Sequence, residues 1–266
     1  MTSLPMTEPA TIETLLEIMV RLRDPQHGCP WDQQQDFRTI APYTLEEAYE
    51  VVDAIDRDDM DDLQDELGDL LFQVVYHAQM ASEAGRFDFS HVLDGICDKM
   101  VRRHPHVFAD DAIADAEEQT RAWESHKDRE RKHSTVSALD GVPLALPALT
   151  RACKLQKKAS RVGFDWPDSH GVAEKVEEEL LELRAELGES ANPAALAEEA
   201  GDLLFAMVNL VRHAGIDPDT ALRQANRKFT RRFQRVEARC REAGGCVSGA
   251  DLETLDGYWE QVKREE

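Results

Sequence analysis

Glu47, Glu50, Glu66 and Asp69 form an acidic pattern that returns about 130 residues later as Glu179, Glu182, Glu199 and Asp202. Each copy reads ExxE, a gap, then ExxD. Carboxylates three residues apart leave a helix on one side, so two such helices laid together can aim four acids at one point. Four acids at close range stay charged only beside a cation. Their hard oxygens suit Mg²⁺ or Mn²⁺, and such ions usually arrive with a phosphate-bearing substrate.

Glutamate-rich helix surface is common, and Glu177, Glu178, Glu179, Glu182 and Glu186 could simply line a solvated face. The second helix of each copy changes the balance. Asp69 is followed by Leu70, Leu71, Phe72, Val74 and Val75, and Asp202 by Leu203, Leu204, Phe205, Met207 and Val208. A helix apolar on nearly all sides is expected to be buried. Only a narrow polar line survives in it, Glu66, Asp69, Gln73 and Tyr76 in one copy and Glu199, Asp202 and Asn209 in the other. Buried carboxylates are normally paired or bound to metal, so all eight acids are candidate metal ligands.

The duplication extends beyond the acids. Trp31 has a partner in Trp166, and Lys99, Arg102 and Arg103 return as Lys228, Arg231 and Arg232. Trp123, Glu124 and Lys127 return as Trp259, Glu260 and Lys263. Drift of a few residues between the offsets fits loop insertions in two tandem copies of one domain, placed at 1–135 and 136–266. The charged run Lys127 to His133 and the Gly- and Pro-bearing stretch from Ser137 to Pro147 mark the boundary. Lys228, Arg231 and Arg232 share one helix face, and Arg donates parallel hydrogen bonds to phosphate, which makes the triplet a candidate clamp. Lys154, Lys157 and Lys158 repeat that spacing as a weaker candidate. Trp166 and Trp259 are core residues by default and base-stacking walls by alternative.

The elements that would hold these groups are helical. Leu45, Tyr49, Val52 and Ile55 form an apolar stripe of helical period, and alternating strand-like runs are few, so both halves are expected to be all-α. Thr44 and Glu47 stand in capping-box relation after Pro42, which predicts a helix opening at Thr44. The next helix is expected from Leu63 to His77, and its counterpart after Asn192-Pro193. Arg103 runs into His104-Pro105, which predicts a helix stop that the second copy lacks.

Composition narrows the function. Formal net charge is −22, with 31 Lys+Arg against 53 Asp+Glu, which repels nucleic acid and anionic membranes. The five cysteines, Cys29, Cys97, Cys153, Cys240 and Cys246, are scattered without CxxC, pointing to reduced thiols in a cytosol. No apolar run approaches membrane-spanning length, and no export signal is visible. P-loop, dinucleotide-binding, zinc-protease and hydrolase-elbow motifs are absent. A di-iron centre would want ExxH on two helices, and the sequence offers only Glu130 to His133, in the linker.

With ExxE, ExxD, KxxRR and the tryptophans in place, nearly the whole chain resembles the MazG family of nucleoside triphosphate pyrophosphohydrolases in its tandem two-domain form. The likeness includes Gly28-Cys29-Pro30-Trp31-Asp32, Glu66-Leu67-Gly68-Asp69, Arg103-His104-Pro105-His106 and Gly163-Phe164-Asp165-Trp166. The resemblance implies an all-α fold related to dimeric dUTPases with four-helix-bundle packing, homodimerisation, Mg²⁺ dependence with Mn²⁺ as a substitute, and cytoplasmic nucleotide-pool housekeeping. It implies hydrolysis of nucleoside triphosphates to monophosphate and pyrophosphate. By matching motif, Glu179, Glu182, Glu199 and Asp202 would hold metal. Lys175, Lys228, Arg231 or Arg232, Trp259 and Lys263 would contact nucleotide. Glu178 or Glu182 would take the proton of the attacking water. Two alternatives remain: a dUTPase or phosphoribosyl-ATP pyrophosphohydrolase of the same fold, and a non-catalytic nucleotide-binding regulator.

Overall fold

A computed structural model describes residues 9–109, 115, 137–188 and 192–266. Trp123, Glu124, Lys127, the charged linker run and the expected change of domain at 135–136 lie outside these. The chain divides into two compact units, Met1–Glu130 and Arg131–Glu266. Among the described residues both are helical, without a strand.

The first unit runs α1 (Ile12–Leu22), α2 (Pro30–Gln33), α3 (Phe37–Arg57), α4 (Met60–Glu83), α5 (Phe89–Arg103) and α6 (Pro105–Phe108). α3 and α4 fold back on each other across a tight turn in which Asp58 takes a left-handed φ of 58°. Asp59 then caps α4 by accepting from the Asp62 N–H. α1 packs on α4, and Met19, Ile40, Val75, Tyr76 and Met80 form the core. As expected from Pro105, α5 stops at Arg103.

The second unit repeats the scheme as α7 (Ala148–Arg161), α8 (Ser169–Glu186), α9 (Pro193–His213), α10 (Pro218–Glu242) and α11 (Leu252–Arg264). α8 and α9 pair as α3 and α4 do. α9 begins where Asn192-Pro193 predicts, with the Asn192 side chain accepting from the Ala194 N–H. α10 and α11 form a second pair around Val236, Cys240 and Val262.

Two expectations need correction. α3 opens at Phe37 rather than Thr44, because Asp36 caps the Arg38 and Thr39 N–H groups in its own capping box. Pro42 is carried inside the helix, where both it and Arg38 are exposed and water can take the carbonyl that its missing N–H leaves open. α4 likewise runs from Met60 to Glu83, past both ends of the expected span. The apolar stripes, secondly, are only partly core: Val75 of α4 and Val208 of α9 are buried, but much of each stripe is not. Leu45, Tyr49 and Ile55 of α3, Leu67 and Leu71 of α4, and Leu204, Phe205 and Met207 of α9 are exposed. Periodicity marks a face that needs covering, and in the single chain the outer flank of each acidic helix pair stays open to solvent among the described residues.

Tyr76 ties the first unit together. Fully buried, its hydroxyl donates to the Asp32 carboxylate at 2.9 Å and the Asp32 carbonyl at 3.1 Å. Burial first, and Asp32 second, push this phenol up to about 12. Tyr76→Phe keeps the ring and strips a donor from a buried carboxylate. We expect chemical denaturation to show a loss of about 1.5–3 kcal/mol.

Candidate active site

Helix caps set the register of the acids. Asp168 accepts from the His170 and Gly171 N–H groups at the start of α8, and the Asn192 cap starts α9. From those starts Glu179 on α8 meets Glu199 and Asp202 on α9, with one carboxylate oxygen of each within 4.8 Å of the others. Glu47 on α3 meets Glu66 and Asp69 on α4 in the same way. Glu182 and Glu50 stand just outside these trios and act on them by charge. Burial first, then Glu182, Glu179 and Asp202, raise the Glu199 carboxyl above its usual range. Burial, then Asp69 and Glu50, raise Glu47, and burial, then Glu50, raise Glu66. Carboxylates that hold one another's protons are the donor set a hard divalent cation satisfies, so the residues fit Mg²⁺ or Mn²⁺.

One ammonium group stands in for part of that charge. Lys175, one turn before Glu179, donates to Glu179 at 2.7 Å and Glu178 at 2.9 Å, and both raise its pKa. Glu179 is 6% exposed, whereas Glu178 and Glu182, the two candidate bases, are exposed. Of these Glu182 faces the trio by charge, and Glu178 is tied to Lys175.

Beside the second trio lies a cavity of about 440 Å³ with apolar walls including Phe164, Trp166, Val172 and Phe205, and with Glu179 and Asp202 among its lining residues. Trp166 seats closely on Gly171, where a Cβ would come within 2.6 Å of the indole. The loop carrying Trp166 is fastened to α9 through Asp165, which accepts from Arg212 at 2.6 Å and pairs with His213 at 2.8 Å. Burial pushes the Asp165 carboxyl up, but Arg212 and His213 outweigh it and hold it below the usual range.

The two trios have different surroundings. Aligned on Glu47 and Glu179, the place of Lys175 is held by Tyr43, whose ring meets Trp31 edge-on at 6.0 Å. Aligned on Asp69 and Asp202, the place of Asn209 is held by Tyr76, a core residue.

The remaining nucleotide candidates gather on α10 and α11. Arg232 pairs with Glu266 at 2.6 Å and lies 5.8 Å from the Trp259 ring, and Arg231 reaches the same glutamate at 3.3 Å. Lys263 pairs with Glu260 at 2.7 Å, while Lys228 is exposed with no ion-pair partner among the described residues. Trp259 packs against Phe229 and the Val236–Val262 core, a structural seat, whereas Trp166 is the tryptophan that lines a cavity. Lys158 is a fastener, its ammonium donating to the Asp140 carbonyl at 2.9 Å. Sequence reasoning passed over Gln156, Arg212 and His213. Gln156 sits in a basic, polar run without any signal, while the repeat motif around Trp166 already contained Asp165.

The description "MazG nucleotide pyrophosphohydrolase domain" matches residues 35–108 and again 169–236. The chain belongs to the MazG family. A protein of Escherichia coli K12 named nucleoside triphosphate pyrophosphohydrolase is 54% identical over 257 residues, 96% of this chain and 98% of that protein. A Thermotoga maritima protein named nucleoside triphosphate pyrophosphohydrolase/pyrophosphatase MazG is 43% identical, covering 94% of this chain and 95% of its own. YabN of Bacillus subtilis, described as uncharacterized, is 44% identical over 95% of this chain but only 52% of its own length. Each MazG segment contains one acid trio and one basic triplet, while Gln156, Trp166, Trp259 and Lys263 fall outside both.

The raised Glu199 carboxyl yields a stability test. A carboxylate whose pKa rises on folding opposes folding once the pH exceeds that value, and the opposition fades as acid restores the proton. We expect Glu199→Gln to raise the thermal midpoint of the metal-free protein at pH 7, with the gain shrinking as the pH falls through the raised value and gone below the ordinary glutamate range of about 4. Mg²⁺ should raise the midpoint of the unaltered protein and raise that of the variant less, since the variant keeps only the N-terminal trio.

Proposed function

We propose that the protein hydrolyses nucleoside triphosphates to monophosphate and pyrophosphate, with the C-terminal trio as the principal site. The observation that carries this reading is the Glu179–Glu199–Asp202 trio, with Lys175 against it and a cavity beside it, in a chain of MazG membership. Glu179, Glu199 and Asp202, with Glu182 at their flank, would hold Mg²⁺, or Mn²⁺ as a substitute, which would supply charge to draw a polyanion to an acidic chain and to stabilise a departing pyrophosphate. Lys175 exchanges Glu179 for a phosphate oxygen. Lys228, Arg231 and Arg232 clamp the outer phosphates once Glu266 yields its arginines, with Trp259 and Lys263 alongside. Glu182 or Glu178 takes the proton of the attacking water, and Glu182 is better placed for it.

The N-terminal trio of Glu47, Glu66 and Asp69, with Glu50 beside it, holds metal on this reading but lacks the lysine and the polar amide that its counterpart carries. Incubating the protein with eight NTPs and dNTPs should give NMP and pyrophosphate with Mg²⁺ and nothing in EDTA. NDP and orthophosphate would refute the choice of bond, and exclusive use of dUTP would favour the dUTPase reading. Glu179→Gln or Asp202→Asn should lower the rate by about 10²-fold or more, as loss of electrostatic stabilisation does. Glu47→Gln and Asp69→Asn should keep most activity.

The same reading makes the protein a cytoplasmic homodimer that binds neither nucleic acid nor membranes. Among the described residues no helix is long and apolar enough to cross a membrane. The uncovered flanks, Leu204, Phe205 and Met207 among them, suit completion of a four-helix bundle by a second copy. Light scattering at micromolar concentration should give twice the chain mass of 30.0 kDa, and a monomer mass would remove the dimer.

A further inference from the structure

The cavity next to the C-terminal trio is apolar except for a few groups, and two of those are amides whose orientation chemistry dictates. Gln156 donates its Nε2 to the Phe205 carbonyl at 2.8 Å. A carbonyl can only accept, so the nitrogen must face it and Oε1 must be the free end. That oxygen is buried and, among the described residues, meets no donor, on a side chain 7% exposed that lines the cavity. Asn209, 5% exposed, is fixed in the opposite sense. Its Oδ1 accepts from Arg212 Nε at 2.9 Å and Nη2 at 2.7 Å, and a guanidinium can only donate, so Nδ2 is the free end. The wall therefore carries one acceptor without a partner among the described residues and one amide donor turned away from Arg212, beside an apolar room of about 440 Å³, within the size range of small-molecule sites.

We infer that Gln156 and Asn209 read the base of the nucleotide, Gln156 Oε1 accepting a base N–H and Asn209 Nδ2 donating to the adjacent ring nitrogen or carbonyl. This rests on the nucleoside triphosphate reading above. Every common base carries a donor beside an acceptor on its pairing edge, so the pair admits the bases as a class while rejecting triphosphates that lack such an edge. Trp166 and Phe164 supply flat apolar surface for the ring, and Glu179 and Asp202, lining the same cavity, put the phosphate end at the metal trio. Asp165 acts at one remove: by holding Arg212 it holds Asn209 in the donating orientation, which makes it a positioning residue. The N-terminal copy argues the same way by contrast. With Tyr76 in place of Asn209, its hydroxyl is spent on Asp32 and its ring fills the core.

The test compares natural NTPs with a nucleoside triphosphate bearing a base isostere that has no hydrogen-bonding groups. An unpaired buried amide costs enough to change a rate constant about tenfold. The unaltered full-length protein should prefer the natural substrate in kcat/KM by about tenfold or more, and Gln156→Met or Asn209→Leu should reduce that ratio to near one. Asp165→Asn should weaken it partly. A ratio that stays high in both variants, or one near unity in the unaltered protein, overturns the assignment and leaves water as the partner of both amides. Should the unaltered protein cleave no triphosphate, the hydrolase reading fails separately. Calorimetric binding of a nucleoside monophosphate then decides the pocket, which requires both variants to weaken it about tenfold and the Mg²⁺-induced thermal shift to persist.

Discussion

Carboxylates packed within 4.8 Å of one another are the constraint around which both units are built. Repulsion among them would push α8 from α9, and α3 from α4, if nothing else joined these helices. Apolar contacts below the acids, the capped helix starts and the tight turns must therefore outweigh it, and the raised carboxyls of Glu47, Glu66 and Glu199 record burial first and then this mutual repulsion. On the proposed reading that unfavourable energy would give a divalent cation its affinity. On the same reading the cation would make an acidic protein receptive to a polyanion, since a net charge of −22 otherwise repels phosphates.

The duplicated scaffold resolves the space beside the acids in two ways. In the first unit the position of Asn209 is taken by Tyr76, buried in the core and bonded to Asp32. In the second, Asn209 is shorter, and the volume goes to a cavity roofed by Trp166. Close packing is the more stable solution, because empty volume forfeits dispersion contacts. The second unit recovers part of the difference through Asp165, whose bonds to Arg212 and His213 pin the tryptophan loop to α9. On the proposed reading, stability and access to substrate are divided between copies that carry equivalent acid trios.

Much of this was legible in the residues and some was not, for identifiable reasons. The i,i+3 acids, the Asn192-Pro193 start and the stop before Pro105 are local signals, and each produced the element it announced. Thr44 misled because a capping box specifies a compatible start without excluding an earlier one, and Asp36 offered the earlier one. The stripes of α3 and α9 misled differently: hydrophobic period says that a face will be covered but not whether the cover comes from the same chain. Gln156 could not be found at all, because its meaning depends on the Phe205 carbonyl, 49 positions away.

The partners of the basic helix carry the same logic to the C-terminal pair. Arg231 and Arg232 lean on Glu266, and Arg235 and Arg239 on Glu265, in pairs that are partly or largely exposed. Exposed pairs of this kind contribute about 0–1 kcal/mol and are screened by salt. They are strong enough to keep the guanidinium groups arranged along one face and weak enough to be exchanged for a bidentate phosphate contact. The Lys175–Glu179 contact is exchangeable in the same sense on the proposed reading, where a metal ion would compete for Glu179 and a phosphate for Lys175. A clamp whose cations were buried with permanent partners would gain rigidity and lose the ability to bind. On the proposed reading the cations hold provisional partners, whose release coincides with arrival of the substrate.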